Sequence, residues 1–216
     1  MADMATPSSQ EATVAAEDEG FYHESALNAA WTGSRLAIGG LAFLFGSFLF
    51  AYFYLRALNT NHSWTIGPVH PSGGLGLAIA ALYLVGAVIY RLAARRDEVD
   101  EVAAGVIAVL FTLAAVVLQF FEYTKLDFGA ASGGYAAVFF GWTSVYAIVA
   151  LMGVYWIQVQ VSSLWRIRRA GETRETEVPA SEDALLRAGI EASSFYWAFF
   201  VGTGVLAYII LYLVGP

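Results

Sequence analysis

The sequence predicts an all-α polytopic membrane protein with five transmembrane helices, its N-terminus cytoplasmic and its C-terminus external. Three observations predict it. Of 216 residues, 58% are hydrophobic and 13% charged, against about 25% charged in soluble domains. Five apolar stretches each reach the ~20 residues that a helix needs to cross a bilayer core of ~30 Å. The basic residues are divided very unequally between the two sides that five crossings create. The alternating pattern of a membrane β-barrel is absent, and in lipid a helix is favoured because it satisfies its own backbone hydrogen bonds.

The first 25 residues hold six acidic groups and no basic one. A signal peptide has a positive start and an apolar middle, so none is expected; residues 1–27 read as a disordered acidic tail. The membrane domain, 28–216, follows. Its spans are expected at about 33–57, 72–94, 102–124, 134–163 and 190–214. All five prolines fall outside or at the edges of these spans, so discontinuous helices of the transporter kind are not expected. Small residues at Gly39, Gly40, Gly46, Gly74, Gly76, Gly202 and Gly204 suit close helix approach.

The connections are short, with one exception. Residues 58–71 are rich in turn formers, RRDEVDE forms a charged hairpin, and 125–133 join the third and fourth spans. The long connection, about 164–189, is expected as a cytoplasmic loop. Ser181 before Glu182 and Asp183 marks a helix start within it.

Orientation follows from the Lys and Arg residues near span ends. Arg35, Arg91, Arg95, Arg96, Arg166, Arg168, Arg169, Arg174 and Arg187 gather on the N-terminal side, whereas Arg56 and Lys125 stand on the other. Nine against two puts the N-terminus in the cytoplasm.

The residue inventory excludes much chemistry. There is no cysteine, hence no disulfide, thiolate metal site or iron–sulfur cluster. The three histidines, His23, His62 and His70, lie outside the spans, so the chain has no imidazole to offer a haem or copper within the bilayer. Phosphate loops, nucleophile elbows and H-E-x-x-H patterns are absent, and the acidic balance argues against nucleic acid.

One feature inside a span demands a reason. LQFFEYTKLDF, residues 118–128, closes the third span and places Gln119 and Glu122 one turn apart on one helix face. An ionisable residue within a span points to function. Two readings stand side by side: a structural polar anchor, with Lys125 at helical spacing as partner, or a group that handles protons or meets a partner. Arg56, at the end of the first span, and Tyr135, at the start of the fourth, are further candidate polar neighbours on the same side. The dense aromatics, Tyr52, Phe53, Tyr54, Phe120, Phe121 and Tyr123 among them, read as interfacial belts.

Several elements together resemble subunit III of the haem-copper oxygen reductases, the cytochrome c oxidase type. The family carries Q-x-x-E-Y at the end of a helix; here it is Gln119-Phe-Phe-Glu122-Tyr123. A tyrosine, small residues, two phenylalanines and a threonine follow, here Tyr135 to Phe139, Phe140 and Thr143, and later Gly153. An aromatic run ending in arginine precedes, Phe50 to Arg56, and a Tyr-Trp pair opens the last helix, Tyr196-Trp197. The order fits the five-helix short form over about 30–214. The family's buried Ser-Glu pair, its two histidines and its His and Asp of the last helix are replaced here by Gly40 and Leu41, Tyr146 and Val149, and Ala198 and Val201.

The resemblance implies a divergent, non-catalytic integral subunit of an aerobic terminal oxidase in a bacterial-type cytoplasmic membrane. It implies direct contact with haem-copper subunit I and association with subunit II and other respiratory-complex subunits. Haem and copper would belong to those partners, with no cofactor in this chain, and structural phospholipids would sit between its helices. An accessory subunit of a nitric oxide reductase and a small membrane transporter are the alternatives.

Overall fold

A computed structural model of the chain describes the backbone of residues 9–59, 62–96, 100–174 and 180–216, and the side chains of these except 9–19, 23, 170–174 and 180–183. The described residues form five long helices and no strand: α1 (Ser9–Ala57), α2 (Gly73–Ala93), α3 (Glu101–Tyr123), α4 (Gly134–Arg174) and α5 (Ala180–Tyr208). A π-helical segment, Ile209–Val214, continues α5. All five helices are long and apolar enough to cross a membrane, as expected of a multi-pass membrane protein.

Two expected boundaries are corrected. The helix α1 begins at Ser9, inside the stretch expected as a disordered tail; residues 1–8 lie outside the described residues. SQEATVAAEDE is rich in Ala and Glu, strong helix formers, and no proline interrupts it, so acidity alone did not preclude a helix. The long connection is likewise mostly helical. The helix α4 continues from 163 to Arg174, and α5 starts at Ala180, which puts Ser181 inside the helix and not at its cap. Only residues 175–179 of that connection lie outside the description. LWRIRRAGETR contains no proline and offers i,i+4 support: the Arg169 guanidinium lies 5.3 Å from the Trp165 ring centroid. Arg168 Nη1 and Nη2 reach Asp100 Oδ1 at 2.8 Å and Glu101 Oε2 at 3.2 Å. These contacts tie the α4 extension to the start of α3.

The helices α2 and α3 begin at side-chain caps. Ser72 accepts from Leu75 N–H and Asp100 from Val102 N–H at 2.9 Å, each meeting a donor that a helix start leaves unpaired. Around the bundle, α2 packs on α3, α3 on α4, α4 on α1, α1 on α5 and α5 on α2, while α4 and α5 also meet across the middle. The core there is aromatic: Tyr146 stacks on Phe200 with centroids 4.2 Å apart, and Phe45, Tyr83 and Trp197 surround the pair.

The connections at the Arg56 end interlock. Gly134 N–H and Tyr135 N–H donate to the carbonyls of Ser63 and Trp64, and Ile66 N–H to Ser132. Gly133 makes this possible: its φ is +113°, and a Cβ there would lie 2.7 Å from the Trp64 carbonyl oxygen. Trp64 is thereby buried edge-on between Tyr52 and Tyr135.

Candidate functional site

Glu122 is fully buried in the last turn of α3. Helical spacing brings Gln119 onto the same face, where its Nε2 donates to Glu122 Oε2 at 2.9 Å. A second donor to the same oxygen comes from the far end of the chain: Tyr212 Oη, at 2.7 Å. Glu122 Oε1 has no partner among the described residues. A buried polar atom in this position stands at a cost of about 1–3 kcal/mol, so the geometry is asymmetric, with one carboxyl oxygen saturated and the other idle.

The segment that supplies Tyr212 is itself anchored by the residues singled out in the sequence. The last carbonyls of a helix have no partner within it, and here Leu211 and Gly215 are buried. The Tyr135 hydroxyl donates to the Leu211 carbonyl and the Tyr52 hydroxyl to the Gly215 carbonyl. Gly215 N–H returns to Ile210 O at 3.1 Å. Arg56 Nη1 donates to Tyr52 Oη at 3.0 Å, one helical turn away. The terminal π segment is thus held by α1, α3 and α4 together.

Tyr135 and Arg56 therefore belong to the same polar assembly as Glu122, joined to it through the chain's C-terminal turn and not by direct contact. Lys125 does not pair with the carboxyl. Its Nζ lies 5.2 Å from the Phe121 ring centroid, on the exposed side, while Glu122 faces the bundle interior; the two share only the backbone bond from Lys125 N–H to Glu122 O at 2.8 Å. Tyr123 also turns elsewhere, its hydroxyl 2.6 Å from Thr143 Oγ1 and 3.2 Å from Ser144 Oγ, so it fastens α3 to α4.

Sequence reasoning missed Tyr212. It stands in YIILYLV, an apolar run with no polar neighbour, and no local spacing links it to a residue in α3. The signal that could have found it is a tyrosine inside a span end, since a buried Tyr hydroxyl usually has a partner.

A cavity of ≈40 Å³ lies beside Gln119 and Tyr212, walled also by Gly76, Tyr83, Thr143 and Tyr146. At ~10–15 Å³ per water it suits about three or four waters. It is far smaller than the ~150 Å³ that admits a benzene ring, so it does not fit a quinone or haem. Val201 and Tyr146 also line it; both are buried, and the Tyr146 hydroxyl donates to Phe200 O at 3.1 Å. His62 and His70 are exposed, and among the described residues no group of three His, Asp or Glu side chains stands close enough to hold a metal.

No known family model matches the chain, and no curated protein matches it.

Proposed function

We propose that the chain is a subunit III-like, non-catalytic integral subunit of an aerobic haem-copper terminal oxidase. It sits in a bacterial-type cytoplasmic membrane with its N-terminus inside. It stabilises the catalytic subunit I, associates with subunit II and holds structural phospholipids, while electron transfer to oxygen and the coupled proton translocation belong to the complex. The haem and copper are the partners', because this chain's donor set, without cysteine, with His62 and His70 outside the candidate spans and His23 only at the edge of the first, is unsuited to either within the bilayer.

The observation that carries the reading is the Gln119–Glu122 pair at the end of the third of five spans. It is the clearest element of the resemblance, and it is built into the bundle: Glu122 is buried and bonded to Gln119 and Tyr212. A polar element that closes the bundle on itself suits a scaffold. The cavity beside it, at ≈40 Å³, is small for the midplane substrate site of a transporter.

The test of the non-catalytic assignment is spectroscopic. The chain purified by itself shows no haem absorbance and no copper signal if the reading holds. A stoichiometric haem or copper in the isolated chain would overturn it.

A further inference from the structure

On the face of the bundle formed by α2 and α5, toward the Arg91 end, runs a groove of ≈240 Å³. Its floor is Ala87 and Val201, and its sides are Leu84, Val88, Leu92, Ala198 and Gly202. The sides are exposed, so the groove opens toward lipid. At Gly202 it is open down to the backbone, since a Cβ there meets nothing within 4 Å. One charged residue enters it, Arg91.

Arg91 is held in place. Its Nη1 donates to Ser194 Oγ at 2.6 Å and to Glu191 O at 3.3 Å, and the guanidinium lies 5.7 Å from the Phe195 ring centroid. Both bonds use the same nitrogen, so they do not engage the Nε and Nη2 donors. Arg95 follows one turn later and is exposed, with Arg96 beside it. The Glu191 side chain is the described acidic group that acts on Arg91 electrostatically, opposed by Arg95. An apolar trough that ends in an oriented guanidinium with a second one adjacent has the chemistry of a lipid site. A guanidinium fork matches a phosphate, and the trough takes hydrocarbon.

We propose that this α2–α5 groove binds one anionic phospholipid, its headgroup phosphate on Arg91 and Arg95 and one acyl chain along Leu84, Val88, Ala198 and Gly202. In the proposed orientation the arginines face the cytoplasmic leaflet, whose anionic lipids attract basic residues by ~1 kcal/mol each. The inference deepens the lipid-holding part of the proposed function. It rests on the membrane-embedded bundle and needs no oxidase partner.

Native mass spectrometry of the full chain in mild detergent tests it, with phosphatidylglycerol titrated against phosphatidylcholine of the same acyl chains. The wild type should retain a single phosphatidylglycerol in preference to phosphatidylcholine. Arg95→Gln should weaken that retention by about fivefold. Gly202→Leu, which fills the trough at an open position, should abolish it. Arg91→Gln should weaken it as well, but this change also frees Ser194, so the first two variants carry the decision. Both should melt as the wild type does in lipid-free detergent. Equal retention of the two lipids would mean a merely annular lipid and would overturn the site. So would wild-type retention in Arg95→Gln and Gly202→Leu. Either failure leaves the oxidase reading standing, because that reading is decided by which polypeptides accompany the chain.

Discussion

The Tyr212 hydroxyl donates to Glu122 Oε2 at 2.7 Å across 90 residues of sequence, joining the last turn of α3 to the chain's terminal π segment. Gln119 shares that oxygen. Tyr212→Phe removes one donor and leaves the ring's packing. The expected loss is about 0.5–1.5 kcal/mol, the net contribution of a typical hydrogen bond, read from thermal or denaturant unfolding in detergent. A loss within error would mean the bond does not hold the segment.

Glu122→Gln keeps volume and an acceptor oxygen. If the carboxyl is an anchor, assembly and oxygen reduction by the complex stay nearly intact. Collapse of turnover in a fully assembled complex would instead assign Glu122 to proton handling. Glu122→Leu strands the Gln119 amide and the Tyr212 hydroxyl, at about 1–3 kcal/mol for each stranded group, and should lower stability well beyond the Gln variant.

Gly76 sets where Tyr212 stands. A Cβ at Gly76 would lie 2.5 Å from Tyr212 Cε1, so Gly76→Ala must displace the ring and disturb its bond to Glu122. Overpacking of this kind costs about 1–3 kcal/mol. The two sites are in contact, so Gly76→Ala and Tyr212→Phe should not add: in the double variant the alanine should harm less than in the wild type. Strict additivity would show that the alanine acts elsewhere.

How much of this was legible in the sequence differs from element to element. Span number and order follow from apolar length once the alternating pattern of a barrel is absent, because a helix satisfies its own backbone in lipid. Gln119 and Glu122 were legible because three-residue spacing is local. The pairing with Tyr212 was not, since no periodicity connects residues in different spans. Lys125 illustrates the opposite error: the i,i+3 rule is sound for a surface helix, but the helix rotates Glu122 inward and Lys125 outward. The start of α1 and the end of α4 were misjudged because a charged sequence reads as tail or loop, whereas SQEATVAAEDE- and RIRRA-type composition continues a helix wherever no proline stops it.

The ion pair of Arg168 with Asp100 gives the α3–α4 contact a pH dependence. Partial burial pushes the Asp100 carboxyl up, but the bonds from Val102 N–H, Arg168 and Ala103 N–H outweigh it and hold the group below its usual 3.8. A carboxyl lowered in the folded state contributes stability above its unfolded value and loses it as pH falls through the folded one. Stability should therefore be level from neutral pH to about 4 and decline below. Asp100→Asn should remove that part of the decline. The pair is exposed, so the effect is below ~1 kcal/mol and shrinks with salt. A titration with the decline centred near neutral pH would contradict the assignment.

Co-purification tests the central claim most directly: the tagged full chain is extracted in mild detergent, and its companions are identified along with the reduced-minus-oxidised haem spectrum. The account predicts a haem-copper subunit I, with subunit II, in stoichiometric amount and carrying the haem signal. A chain that is recovered intact and folded with no haem-copper subunit and no haem would contradict it.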